Sequence, residues 1–169
     1  MTTDEIKTLV LQKASEWGID PGVALAQIQR ESGFNPRAVG SSGERGLAQF
    51  MPGTWAQYGS GSFDNAFDPS MNLDAWGYYM TTLLGQFGND YTQALTAYNG
   101  GPGHLTDPGR YGPPSSAAVA YGQALAAQSS YDVTAPAGSP NQPGLSNSNL
   151  TVFLVLGLGL IVAFVAFRD

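Results

Sequence analysis

The sequence predicts a mainly α-helical domain, followed by a polar linker and a single hydrophobic helix long enough to cross a membrane. Three observations predict it. Apolar residues recur every three to four positions in several separate stretches, and no run alternates as a β-strand would. Two Asp-Pro pairs, Asp20-Pro21 and Asp68-Pro69, each join an N-cap side chain to a first-turn proline, the local signal of a helix start. An uncharged run of 18 residues, Leu150 to Phe167, stands apart from everything before it.

The elements follow in order. Ile6, Leu9, Val10, Ala14 and Trp17 recur at helical spacing and Gly18 can stop that helix. Asp4 and Glu5 stand where the cations of an export signal would be, and no apolar stretch follows, so residues 1–17 read as an amphipathic helix rather than a signal peptide. Asp20-Pro21 opens a second helix running to about Glu31, and a Gly-, Ser- and Pro-rich loop extends from Gly33 to about Gly46. A short helix is expected over Thr54 to Tyr58. Asp68-Pro69 opens the most regular helix, with Leu73, Trp76, Met80, Leu83, Leu84 and Phe87 in one apolar stripe and Gly88 after it. Asp90 starts another through Ala94, Leu95 and Tyr98 that Gly100-Gly101 ends, and a last one covers Ser116 to Gln128.

Residues 1–128 are therefore expected to form the globular domain. Residues 129–149 are rich in Ser, Pro, Gly and Asn and read as a flexible linker that could reach roughly 70 Å when fully extended. Residues 150–167 then read as a transmembrane helix: at about 1.5 Å per residue the run spans roughly 27 Å, close to a hydrocarbon core of about 30 Å. Gly157 and Gly159 do not make a GxxxG pair, so no helix-dimer motif is expected.

Composition narrows the chemistry. The formal net charge is -6, with only 7 Lys and Arg, so the basic face of a nucleic-acid binder is missing. Without Cys there is neither a disulfide framework nor a thiolate metal site. The single histidine, His104, argues against a His-based metal centre and against a Ser-His-Asp triad, and its Gly- and Pro-rich surroundings suit a surface or substrate-edge place. Asp64, Asp68 and Asp74 lack the spacing of a calcium loop, so no metal and no cofactor are expected. Acid-base work falls to carboxylates, Tyr or Lys.

Glu31 is the carboxylate whose position carries most information. Ala24, Leu25 and Ile28 form the apolar side of its helix, and Glu31 projects about 60° from Ile28, at the edge of that stripe. A carboxyl there is partly desolvated, which favours its neutral form and suits it to act as a general acid. The plainer reading is a half-exposed helix-end Glu paired with Arg30 or Arg37. Helical spacing alone leaves both open.

The motifs around it go further. Glu31-Ser32, then Gly43, then Gly46-Leu47-Ala48-Gln49-Phe50-Met51-Pro52 resembles the signature of the soluble lytic transglycosylase family, which has a goose-type-lysozyme-like fold. Asp68-Pro69 with Asn72-Leu73 is similar to the segment before that family's next long helix, and Ala94-Leu95-Thr96-Ala97-Tyr98-Asn99-Gly100-Gly101-Pro102-Gly103 to its AYNxG block. Tyr121 is a weaker match to the Tyr of its last helix. The resemblance covers roughly residues 4–128 and rests on several short motifs in one order.

This resemblance implies a lysozyme-like cleft for peptidoglycan glycan strands, with Glu31 as the single acid and base. Glu31 would protonate the oxygen linking MurNAc to GlcNAc and then, as a carboxylate, take the proton of the MurNAc O6 hydroxyl that attacks C1. The product would be a 1,6-anhydro sugar, outside the usual two-carboxylate scheme of glycosidases. Ser32 either hydrogen-bonds near Glu31 or caps its turn. Gln49 suits an N-acetyl or hydroxyl group, or else holds the loop backbone. Tyr98 points its hydroxyl at Glu31 or the sugar, or only packs. Asn99 is a sugar ligand or a helix C-cap. Phe50 is expected in the core.

Two positions depart from the family pattern. Many members carry a Ser nine residues after the catalytic Glu, where this chain has Gly40 and then Ser41. Gly-Ala often precedes the GLMQ block, whereas Glu44-Arg45 stands here, making Glu44 a possible second carboxylate. If Glu44 reached the cleft it could position a water, giving a lysozyme-type muramidase; otherwise it is a solvated Glu paired with Arg45. A catalytically silent peptidoglycan-binding module is a third reading, which the presence of Glu31, Gln49 and Tyr98 disfavours. Leu150 to Phe167 would place the protein in a lipid membrane. A phage virion membrane, with virion proteins as partners and genome entry as the task, is the favoured setting, and a bacterial inner membrane or a phage lysis role the alternative.

Overall fold

The computed structural model describes residues 1–129. The linker from residue 130 onward and the Leu150 to Phe167 run lie outside the described residues. No helix among the described residues is long and apolar enough to cross a membrane.

The described residues are helical: α1 Thr3–Trp17, α2 Pro21–Ser32, α3 Pro52–Tyr58, α4 Pro69–Gln86, α5 Tyr91–Gly100, α6 Gly103–Thr106, α7 Pro108–Tyr111 and α8 Ser116–Ala126, with a 3-10 turn at Phe63–Phe67 between α3 and α4. The three expected Asp caps are in place. Asp20 accepts from the Gly22 and Val23 amides, Asp68 from Met71 and Asp90 from Gln93, each contact stabilising a helix start by about 1 kcal/mol. Thr2 and Glu5 add a capping box at α1, and Ser115 caps α8. Helix α3 starts at Pro52, two residues before the expected Thr54, because that proline takes the first helical turn. The short α6 and α7 have no counterpart in the sequence pattern, because four residues cannot display a 3.6-residue period.

Helix α4 is the centre of the packing. Its Leu73, Trp76, Met80 and Leu83 are buried beside α1 (Ile6, Val10, Ala14) and α5 (Ala94, Leu95, Ala97), and Trp76 reaches Gln27 of α2 through a side-chain hydrogen bond. Each such side chain withdrawn from water contributes about 1.5–3 kcal/mol. Phe50 is buried as expected. Helix α8 closes over α5 at Gly122, where a Cβ would come within 2.4 Å of the Thr92 carbonyl oxygen. Only a glycine permits that approach, and it draws Tyr121 into the interior.

The loop after α2 is tied down by two isolated antiparallel bridges, Val39 to Arg45 and Arg45 to Phe50. Buried Asn72 of α4 staples it. Its Oδ1 accepts from the Ala48 amide at 2.9 Å, and its Nδ2 donates to the Ala66 carbonyl at 2.8 Å.

Candidate active site

A cleft opens where the end of α2, this loop, α3, α4 and α5 meet. Glu31, Glu44, Gln49, Tyr79, Tyr98 and Asn99 line it, with Gly40 and Ser41 at one rim.

Glu31 sits in the last turn of α2. Burial pushes its pKa up and the nearby Glu44 carboxylate adds in the same direction, while a hydrogen bond from Tyr121 and the charge of Arg30 oppose them. The net direction is upward, so the neutral acid persists to higher pH than for an exposed Glu. The cations of the plainer reading are engaged elsewhere. The Arg30 guanidinium lies over the Tyr121 ring at 5.3 Å and that of Arg37 over Phe67 at 5.8 Å, and among the described residues neither forms an ion pair with Glu31.

The hydroxyl that reaches Glu31 is that of Tyr121, which donates to Glu31 Oε1. Tyr98 lines the cleft, but its hydroxyl donates to the Ala48 carbonyl at 2.7 Å, so its link to Glu31 is proximity rather than a hydrogen bond. Burial holds both phenols far above the ordinary tyrosine range, and Tyr79, tilted against Tyr98 with ring centroids 5.1 Å apart, is pushed up to about 12. All three remain neutral hydrogen-bonding groups.

The remaining expected residues divide. Gln49 does hold the loop, donating from Nε2 to the Gly46 carbonyl at 2.9 Å and the Ala38 carbonyl at 3.3 Å, and its Oε1 faces the Gly40 side of the cleft. It adopts a left-handed backbone, φ 52°, a conformation that costs a non-glycine residue on the order of 1 kcal/mol and is kept where surrounding structure enforces it. Asn99 is exposed on the cleft inside α5; the helix cap is Gly101. Ser32 donates to the Ile28 carbonyl at 3.2 Å, the helix-end option, and does not line the cleft.

Glu44 does reach the cleft. Arg45 pairs with Asp64 at 2.6 Å and lies over the Phe63 ring at 4.4 Å, rather than with Glu44. The Glu44 carboxylate instead accepts from the Ser42 amide at 2.9 Å. A Cβ on residue 40 would stand 2.2 Å from its Oε2, so Glu44 occupies space that any side chain at 40 would claim. His104 is bonded through Nδ1 to the Gly112 carbonyl oxygen at 3.0 Å and is not in the cleft lining.

A family model for the Transglycosylase SLT domain matches residues 8–119. The chain belongs to that family. Among its SLT relatives, the membrane-bound lytic murein transglycosylase C of Photorhabdus laumondii is 36% identical over 112 residues, covering 57% of this chain and 31% of that one. The transglycosylase of Enterobacteria phage PRD1 is 34% identical over 88 residues, covering 52% of this chain and 32% of that one. The chain thus spans about a third of the length of these relatives. The 70 kDa soluble lytic transglycosylase of Escherichia coli shares the fold, with a TM-score of 0.61 and 28% identity over 70% of this chain and 22% of that one. Its complex with bulgecin A gives 0.61 and 27% over the same shares. The SLT domain is accordingly mainly α and lysozyme-like, as the sequence predicts.

The sequence motifs underrate two residues of this SLT domain. Tyr121 matches the family pattern only weakly, yet it is the hydrogen-bond partner of Glu31. Buried Asn72 organises the loop that carries Gln49 and Glu44, and its motif says nothing of that task.

Proposed function

We propose that the protein is a peptidoglycan lytic transglycosylase with Glu31 as its catalytic acid and base. The observation that carries this reading is the place of Glu31: a carboxyl whose pKa burial raises, on a cleft, in an SLT domain. The neutral carboxyl donates its proton to the glycosidic oxygen as the MurNAc–GlcNAc bond breaks. Charge developing at C1 is met by the substrate's own N-acetyl group. Glu31, now a carboxylate, removes the proton of the MurNAc O6 hydroxyl as that oxygen bonds to C1. The proton returns to Glu31, the 1,6-anhydro product leaves, and no water is consumed. Gln49, through Oε1, and Asn99, from the exposed side of the cleft, are placed to bind sugar amide or hydroxyl groups. Tyr98 lines the cleft with its hydroxyl committed to Ala48, so any contact it makes with the sugar is through its ring.

A second reading rests on one observation, that Glu44 lines the same cleft. A water held by Glu44 on the far side of the sugar would turn the reaction into hydrolysis of the same bond. The relatives named as transglycosylases favour transglycosylation.

We further propose that the Leu150 to Phe167 run anchors the domain to a membrane and that residues 129–149 tether it, raising the local concentration of enzyme at the wall. The length and apolarity of that run support the anchor. The phage relative supports a phage setting, and we place the task there at genome entry.

Clearing of purified sacculi tests the assignment. The wild-type chain is expected to clear them, and Glu31→Gln, folded as judged by its melting curve, is expected to lose about 10²–10⁴ of the rate. Equal clearing by both removes Glu31 from the chemistry.

A further inference from the structure

Of the polar side chains buried among the described residues, Asn72 holds the loop and Thr96 bonds the Thr92 carbonyl. The third, Gln27, has no such local task. It lies one turn before Glu31 on α2 and is 0% exposed. Its Oε1 accepts from Trp76 Nε1 at 3.0 Å. An indole N–H only donates, so the oxygen of the amide must face Trp76 and its nitrogen must face away. On that other side Nε2 has no hydrogen-bond partner, and the Tyr121 hydroxyl is the nearby group whose pKa it lowers. A buried N–H of this kind calls for an explanation, because leaving it unmet is costly.

Tyr121 provides one. A phenol carries one proton, and its oxygen accepts. We propose that Gln27 is a positioning residue for Glu31: its amide N–H donates to the Tyr121 oxygen, so that the Tyr121 proton is committed to Glu31 Oε1, with Trp76 fixing which way the amide points. The relay runs in one direction, from Trp76 to Gln27 to Tyr121 to Glu31, with one N–H of the Gln27 amide engaged. With Oε1 occupied as an acceptor, the carboxyl's own proton resides on Oε2, ready for transfer. Gln27 touches no substrate and acts only through Tyr121. The proposal rests on the reading of Glu31 as the catalytic acid.

The test is a carboxyl NMR titration of Glu31 in the full-length, ¹³C-glutamate-labelled chain, without substrate, for wild type, Gln27→Met, Tyr121→Phe and the double variant. Weakening the donor to the charged form raises the Glu31 midpoint, so Gln27→Met is expected to move it up by about half a pH unit. In the Tyr121→Phe background the same change is expected to do nothing further. If Gln27→Met does not fold, Gln27→Leu carries the comparison. In muropeptide release, Gln27→Met is expected to lower kcat several-fold at unchanged KM. A wild-type Glu31 midpoint in Gln27→Met, or the same shift with and without Tyr121, overturns the proposal. Coupled shifts in a chain that releases no muropeptides sustain the relay and overturn the catalytic reading instead.

Discussion

The Tyr121 hydroxyl donates to Glu31 Oε1, tying α8 to the last turn of α2 across 90 residues of sequence. That donation favours the charged carboxylate and so works against the burial that raises the Glu31 pKa. Tyr121→Phe removes it. The Glu31 pKa then rises further, and the alkaline limb of the pH profile of kcat/KM, set by loss of the acid's proton, moves to higher pH. A carboxyl no longer held in register is expected to lower kcat about tenfold or more. An alkaline limb that moves down, or stays, contradicts this role.

Glu44 acts on Glu31 in the opposite sense. Its negative charge disfavours a second one, so Glu44→Gln is expected to lower the Glu31 pKa and move the alkaline limb to lower pH. The balance of anhydro to reducing ends stays as in the wild type if Glu44 only sets this charge. A loss of about 10² in rate with Glu44→Gln would assign it the water-activating role of a muramidase.

The raised pKa of Glu31 also bears on stability. A group whose folded-state pKa lies above its unfolded value contributes stability that is fully present below the unfolded pKa and is lost as pH rises through the folded one. Glu31 is such a group. Glu31→Gln, neutral throughout, is therefore expected to melt above the wild type at neutral pH, with the gap closing as pH falls below about 4. Scanning calorimetry across that range checks it, and a gap independent of pH contradicts it.

Asn72 provides a structural test. Asn72→Ala leaves the buried Ala48 amide without its acceptor and the Ala66 carbonyl without its shortest donor, an expected loss of about 1–3 kcal/mol for each group, read from the urea midpoint. Because the Ala48 carbonyl holds Tyr98, activity is expected to fall more steeply than stability alone would require.

What the sequence makes legible follows the range of the interactions. Asp20, Asp68 and Asp90 cap helices through amides two or three residues away, and a short segment of sequence contains both partners. The placement of Glu31 beside an apolar stripe needs only the geometry of α2. The partner of the Tyr98 hydroxyl is Ala48, 50 positions away, and that of Tyr121 is Glu31, 90 positions away. The first depends on how α5 meets the loop at Ala48 and the second on how α8 meets α2, which no local pattern encodes. Gln27 stands out in sequence only as a polar residue beside Ile28 on a helix with an apolar face, and its meaning appears once Trp76 and Tyr121 are on either side of it. The position of Glu44 likewise depends on the glycine at 40, where a side chain would have displaced it.

Mass spectrometry of the muropeptides released from purified peptidoglycan tests the central claim most directly. Transglycosylation by Glu31 predicts 1,6-anhydroMurNAc ends from the wild-type chain and none from Glu31→Gln. Reducing MurNAc ends from the wild type would contradict it and make the enzyme a hydrolase of the same bond.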